Sequence, residues 1–427
     1  MRAEAPDDRA RLAAICGFAV MIPTRGPGLM RTQPPAEEVA RYLELGLACA
    51  GEGDSEALAL LLASKGYWGF GYGVDSADES GEIGRAAAER ARGIAHRLGR
   101  PDLELVAFDS LSSGLNIRGL YGLAAPIDRE RLDLARTLRD PFEVGDSFYT
   151  AAWSALAVGQ YPDVLALLDE FEAMGLDILP IGPLALAVLA QVPLGDWDSA
   201  LANQARLTVL LGEGADRPPS MASGGFGAAA FIHEARGDRT SADRLLAIID
   251  GWSAGGDGPR NWAIPLAAAA LVRRGEFAEA RRYLGRLAGT DLFLDRDLET
   301  RCAMVAEEGS WHEADAVIEV ARRHARVGSL LALPLHADRL QGRALLAAGE
   351  PERALEALER ATAGFTRLGA AWEAALTRLA YGEALVARGR RDDAEEALAR
   401  AAEVFERLGV PRELARAREL RGALDPV

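Results

Sequence analysis

GRALLAAGEPERALEALERATAGFTRLGAAWE, residues 342–373, lies over GEALVARGRRDDAEEALARAAEVFERLGVPRE, residues 382–413, with about half of the positions identical and an offset of 40. Self-similarity at such a period marks an array of supersecondary units, each unable to bury its apolar face alone. In the first copy Gly349 precedes Ala354 by five positions and Leu358 by nine; in the second, Gly389 precedes Ala394 and Leu398 by the same steps. The frame extends backward through Gly309, Gly275, Gly237, Gly195 and Gly159, so the seven glycines are separated by 36, 42, 38, 34, 40 and 40 residues. Five positions after them stand Val164, Ala200, Ala242, Ala280, Ala314, Ala354 and Ala394, and nine after them Leu168, Gln204, Leu246, Leu284, Ile318, Leu358 and Leu398. Residues four apart share one helix face, so each glycine is predicted to be a turn followed by a helix. Alanine on that face lets the helix approach its predecessor closely. Val164 and Gln204 are the exceptions.

Length and composition agree with an array. A compact-domain prior would divide 427 residues into two or three domains, whereas a solenoid adds core in proportion to its length. A hydrophobic fraction of 49% with 6% aromatic suits helices joined through small side chains. We expect an all-α right-handed solenoid of about ten antiparallel helix pairs. The expected organisation is an N-terminal helix and Pro/Gly linker over 1–40, degenerate helical repeats over 41–150, divergent repeats over 151–333, and a well-matched pair with a C-terminal capping helix over 334–427, all in one continuous solenoid. Gly53 and Gly122 are candidate turns in the degenerate part. GPGLMRTQPPAEE (26–38), GEGADRPPSMASGGFG (212–227) and GWSAGGDGPRNW (251–262) read as linkers. Neither of the last two has the lysine-bearing phosphate-cradle arrangement.

The formal charge of −16 and pI near 5.0 argue against nucleic acid as a direct partner, because phosphate binding needs a basic surface. Lys65 is the single lysine among 48 basic residues. Cys16, Cys49 and Cys302 are far apart in apolar stretches and read as reduced thiols in a cytoplasmic protein. LAAICGFAVMI after Arg11 is preceded by acids and followed by no small-residue cleavage site, against a signal peptide. ILPIGPLALAVLAQVPLG (178–195) carries three prolines and precedes a repeat turn, so it reads as a buried first helix and not a membrane span. His312, His324 and His336 are spaced by twelve, which would splay them by about 120° on one helix, unlike i, i+4 metal ligands. No nucleophile elbow, H-E-x-x-H or C-x-x-C occurs. No catalytic residue, cofactor or metal is therefore assigned.

The turn segments GDWDSA, GEFAEA, GSWHEA, GEPERA and GRRDDA resemble the tetratricopeptide repeat (TPR), with its glycine, an aromatic two positions on (Tyr161, Trp197, Phe277, Trp311) and an alanine. Seven residues before each glycine that family places a small residue, and here stand Ala152, Val188, Ala230, Ala268, Cys302, Gly342 and Gly382. The resemblance is specific over 334–424 and moderate back to Phe142. It implies a concave groove lined by the first helix of each pair at positions thirteen, ten and six before the glycine. Those positions give Asp146, Tyr149, Trp153, Phe231, Trp262, Arg296, Glu299, His336, Arg339 and Arg343. Aromatic and arginine side chains are enriched at binding hot spots, although the aromatics can equally fill the joint between pairs. Arg296, Arg339 and Arg343 should form a local positive strip, so the expected partner is a protein or peptide carrying an acidic segment, with no membrane involved. The lysines and asparagines of the chaperone-tail clamp are missing, which argues against chaperone C-termini. Second helices ending in RLG at Arg97, Arg367 and Arg407 look like the helical half of bacterial signal-transduction ATPase regulators of the LuxR-type or cyclase-associated kind. The P-loop, helix-turn-helix and cyclase residues are not found, so those activities do not carry over. The expectation is a non-catalytic binding scaffold or sensor module, stand-alone or detached from such a regulator, with a small-ligand sensor as the rival.

Overall fold

The computed structural model describes residues 6–26, 30, 33–73, 81–176, 181–212, 219–253, 262–287 and 293–424. Among these residues every regular element is a helix. They gather into two compact units, one taking in Met1–Ser154 and Leu167–Leu179, the other Ala155–Ala166, Pro180–Gly289 and Phe293–Val427. The fold is an all-α solenoid of helix pairs.

The second unit shows the repeat most plainly. Its first helices are Ile181–Leu194, Ser223–Ala235, Ile264–Arg274, Leu294–Glu308, Leu333–Ala347 and Ala371–Ala387, and its second helices are Trp197–Leu211, Arg239–Ser253, Phe277–Gly285, Ala314–Gly328, Pro351–Arg367 and Arg391–Leu408. Each first helix packs on its own second helix and on the first helix of the next pair. Ala371–Ala387 also packs on Ile181–Leu194, so within this unit the row of first helices closes on itself. Trp372 carries that closure. Its ring lies 5.1 Å from Trp197, 6.0 Å from Phe231 and 6.0 Å from Phe405, in one apolar core with Val188, Ile232 and Ala401. Arg236 Nε donates to the Leu408 carbonyl at 3.0 Å and Arg407 to that of Gly195 at 3.2 Å, tying the same two ends.

The seven-glycine frame has a direct physical reading. All seven have φ between 68° and 97°, the left-handed region that ends a helix at least cost when the residue lacks a Cβ. Val164 and the six alanines five positions on are at most 2% exposed. The small residue seven before the glycine meets the leucine nine after it: a Cβ on Gly342 would lie 2.5 Å from Leu358 Cγ, and one on Gly382 2.5 Å from Leu398 Cδ2. Small-against-large is thus the repeated joint. Tyr161, Trp197 and Phe277 each open a second helix, while Trp311 sits in a short 3-10 turn before Ala314.

Three expectations are corrected. Gly122 lies inside the Tyr121–Ala135 helix, and the left-handed glycine of that turn is Gly119; near Gly53 it is Gly51. The glycine-rich end of the 212–227 linker is helical from Ser223, and within that helix Gly227 admits the Ala263 carbonyl, which a Cβ would approach to 2.4 Å. The linker reading of 251–262 fails at its start, since Gly251–Ser253 end a helix. Residues 27–29, 31–32, 213–218 and 254–261 of the three linkers lie outside the described residues.

The first unit is built differently. Pro6–Arg25 packs through Cys16 and Val20 against Val39, Leu43 and Leu61 of the next helices, so one face of LAAICGFAVMI belongs to a folded core while Ile15, Phe18 and Ile22 are exposed. Arg25 at its end donates to Asp109 at 3.0 Å, Glu143 at 2.7 Å and Asp146 at 2.7 Å. Arg131, fully buried, lies 3.0 Å from Asp109 and 2.6 Å from Asp146 and donates to the Thr150 hydroxyl at 2.9 Å. Tyr67 donates to Asp109 at 2.6 Å. Two guanidiniums thereby hold three carboxylates from two helices. Among the described residues no helix is long and apolar enough to cross a membrane.

Candidate functional site

In the second unit the first helices converge on a cavity of about 540 Å³. The stripe that lines it follows from helix periodicity: positions thirteen, ten and six before the turn glycine are separated by three and four residues, and a further step reaches position three or two. Before Gly349 this stripe is His336, Arg339 and Arg343; before Gly309 it is Glu299, Ala303, Ala306 and Glu307; before Gly275 it is Ala269, Val272 and Arg273. Its lining combines apolar side chains, Phe231, Leu266, Trp372, Leu376 and Leu379, with charged ones.

The charged lining residues are internally matched. Arg339 pairs with Glu373, and its Nη2 lies 3.2 Å from His336 Nδ1. Arg343 pairs with Glu307 at 2.8 Å. Arg273 stacks 5.3 Å from the Trp372 ring and pairs with Glu413 at 3.0 Å. Burial opposes the Glu373 charge, but Arg339 beside it holds the carboxyl below its usual range. Burial likewise acts against Glu307, and Arg343 and Arg412 hold it down. His336 is pushed below the ordinary imidazole range by burial, against the pull of Glu373 and Glu299, so it is neutral at pH 7.

Five of the ten expected groove residues therefore meet here: Phe231, Glu299, His336, Arg339 and Arg343. Arg296 points elsewhere, to Glu299 at 2.9 Å and the Leu156 carbonyl at 3.0 Å. Trp262 precedes the short Ile264–Arg274 helix, so its offset falls outside the stripe; its ring meets Phe293 at 5.7 Å. Asp146, Tyr149 and Trp153 belong to the first unit, where Asp146 pairs with Arg25 and Arg131 and Trp153 stands edge-on to Tyr121 at 6.3 Å. The expected positive strip does not form, because each of its arginines faces a glutamate: Arg296 Glu299, Arg339 Glu373 and Arg343 Glu307. Arg339 is also mostly buried, its side chain 11% exposed.

Several lining residues were missed. Leu376, Leu379 and Glu383 are the thirteen, ten and six positions before Gly389 and were available from the same rule. Arg273 and Glu307 needed the rule continued by one helical step. Trp372 and Glu413 needed knowledge of how the unit closes. Among the described residues of the 212–227 linker, none lines this cavity.

No protein-family model and no curated protein matches the sequence. Among solved structures the chain is similar to yeast Tom70, with 12% identity over 99% of this chain and 89% of that one, at a TM-score of 0.36. The fold assignment rests on the helix pairs themselves.

Proposed function

We propose that this chain is a non-catalytic scaffold whose second unit binds a protein or peptide segment at the cavity between its first helices. The observation that carries this reading is the convergence of Phe231, Trp372, Arg273, Arg339 and Arg343 on one void, since aromatic and arginine anchors around a desolvated pocket are the common composition of binding hot spots. The carboxylates around it are engaged with arginines and its histidine is neutral, an arrangement suited to recognition. The TPR resemblance and the acidity of the chain support a protein partner over nucleic acid. The likeness of the RLG-ended helices to those of bacterial regulators supports a place in cytoplasmic signalling or transcriptional control. Because the arginines are already matched, an acidic segment would have to exchange with Glu307 or Glu373.

The test fills the void. Ala303 lines it and is half-buried, so Ala303→Trp should occupy the space and abolish capture of the cellular partner while the far-ultraviolet circular dichroism stays helical. Arg391→Glu on an exposed helix start is the control. Undiminished capture by a folded Ala303→Trp chain would move the binding site elsewhere. A second reading, a small-ligand sensor, is favoured by the cavity volume, which falls within the ~300–1,000 Å³ usual for such sites. It predicts that a metabolite panel raises the melting temperature of wild type and not of Ala303→Trp.

A further inference from the structure

The last helix, Pro411–Gly422, leaves the repeat lattice. Glu373 and Glu413 hold the same place in the 40-residue repeat. Glu373 pairs with Arg339, 34 residues back on the neighbouring first helix. Glu413 instead reaches Arg273, 140 residues back. Arg412 pairs with Glu307 and donates to the Arg273 carbonyl at 3.0 Å, while Arg416 pairs with Glu383 at 3.0 Å. One turn of this helix therefore addresses three first helices, and Arg412, Glu413 and Arg416 form one edge of the cavity. Gly409, at φ 72°, and Pro411 after it separate the helix from the preceding one.

The helix fits the charges better than the apolar lining. Its sequence PRELARARELRG brings only Leu414 and the fully buried Ala417 to the apolar core that holds Phe231 and Trp372, and the void beside Phe231, Leu266 and Leu376 stays unfilled. Arg273 Nε is buried without a hydrogen-bond partner among the described residues. We propose that Pro411–Gly422 is a tethered stand-in for the partner, and that the partner is an amphipathic helix carrying the same Arg-Glu-x-x-Arg edge beside bulkier apolar side chains. Arg273, Glu307 and Glu383 are its charge-reading residues. The partner helix exchanges with the tethered one, adding the apolar contact that Ala417 cannot supply, so the groove is occupied in both states. Helix-in-groove recognition through residues on one face has this form. The inference rests on the cavity being the binding site.

The probe is a fluorescein-labelled peptide of residues 410–424, titrated by anisotropy into the full chain. A tethered competitor is present at an effective concentration of about millimolar order, so wild type should bind the peptide weakly. The Arg412→Ala, Glu413→Ala double variant should bind it roughly tenfold or more tightly. Adding Glu307→Arg should remove that gain, and a peptide carrying Arg412→Glu should restore it. As a measure that needs no variant, excess peptide added to wild type should speed amide exchange in 411–422 while 371–387 and 391–408 stay protected. Equal peptide binding by wild type and the double variant, or unchanged exchange at the highest peptide concentration, overturns the proposal. If that happens while Ala303→Trp still abolishes partner capture, only the helix assignment falls; if Ala303→Trp has no effect either, the cavity reading falls with it.

Discussion

In the first unit Arg25 and Arg131 sit among Asp109, Glu143 and Asp146, whereas residues 333–408 are joined by Gly342 on Leu358 and Gly382 on Leu398. The first kind of joint is particular and polar; the second is repeated and apolar. A buried ion network holds only while every member is present, because the desolvation of the remaining charges is no longer offset when one is removed. A small-into-large joint degrades in proportion to the misfit. The two regions should therefore respond differently to substitution, to pH and to sequence drift.

The largest effect expected is at Arg131, which is fully buried and shared by Asp109 and Asp146. Arg131→Ala should destabilise by about 3–5 kcal/mol, read as loss of hydrogen-exchange protection in the first unit; a loss below about 1 kcal/mol would mean that the network is solvated and comparable to a surface pair. Next comes Ala354→Leu, at a position with no exposed surface, which should cost roughly 1–3 kcal/mol by overpacking. An unchanged denaturation midpoint would show that Ala354 is not at a helix joint.

A further contrast separates two carboxyls of the first unit by pH. Burial pushes Asp128 up to about 7, against hydrogen bonds from Ser112 and Ser154. Burial opposes the charge of Asp146 as well, but Arg25 and Arg131 hold that carboxyl down at about 2. Asp128 keeps its proton in the folded chain where the unfolded chain has released it, so its contribution is complete below the unfolded carboxylate range and is lost as pH rises through about 7. Asp146 has the opposite sign: its contribution is present above the unfolded range and is lost as pH falls toward 2. Between pH 6 and 7 the Asp128 term amounts to about 1 kcal/mol, so Asp128→Asn should flatten the fall in denaturation midpoint there. An identical slope in the variant would place Asp128 in the ordinary range. The smallest effect belongs to exposed Arg391, where charge reversal should stay within about ±0.5 kcal/mol.

The same contrast explains what was legible in the sequence. The apolar joint repeats, so its members recur at fixed offsets from the turn glycines, and the buried alanines and leucines could be read one after another. The groove stripe obeys the same offsets and gave Phe231, Glu299, His336, Arg339 and Arg343. Trp262 failed because its helix is too short to reach position thirteen. The charges of the stripe were misjudged because offsets show where a side chain points and not what faces it; Glu373 and Glu307 come from neighbouring helices. The polar joint has no period: Arg25 meets Asp109, Glu143 and Asp146 at separations of 84, 118 and 121 residues, and nothing local predicts that. Trp372 and Glu413 were hidden for a related reason, since their partners depend on the curvature accumulated over several pairs.

The central claim is that recognition takes place at the cavity formed by the first helices of the second unit. A photo-crosslinking amino acid placed at Ala303 or at Leu376, both lining that cavity, tests it against the same residue at exposed Arg391, in cells that contain the natural partner. The account predicts a crosslinked adduct from 303 and 376 and none from 391. An adduct from 391 alone would contradict it and place recognition on the second helices.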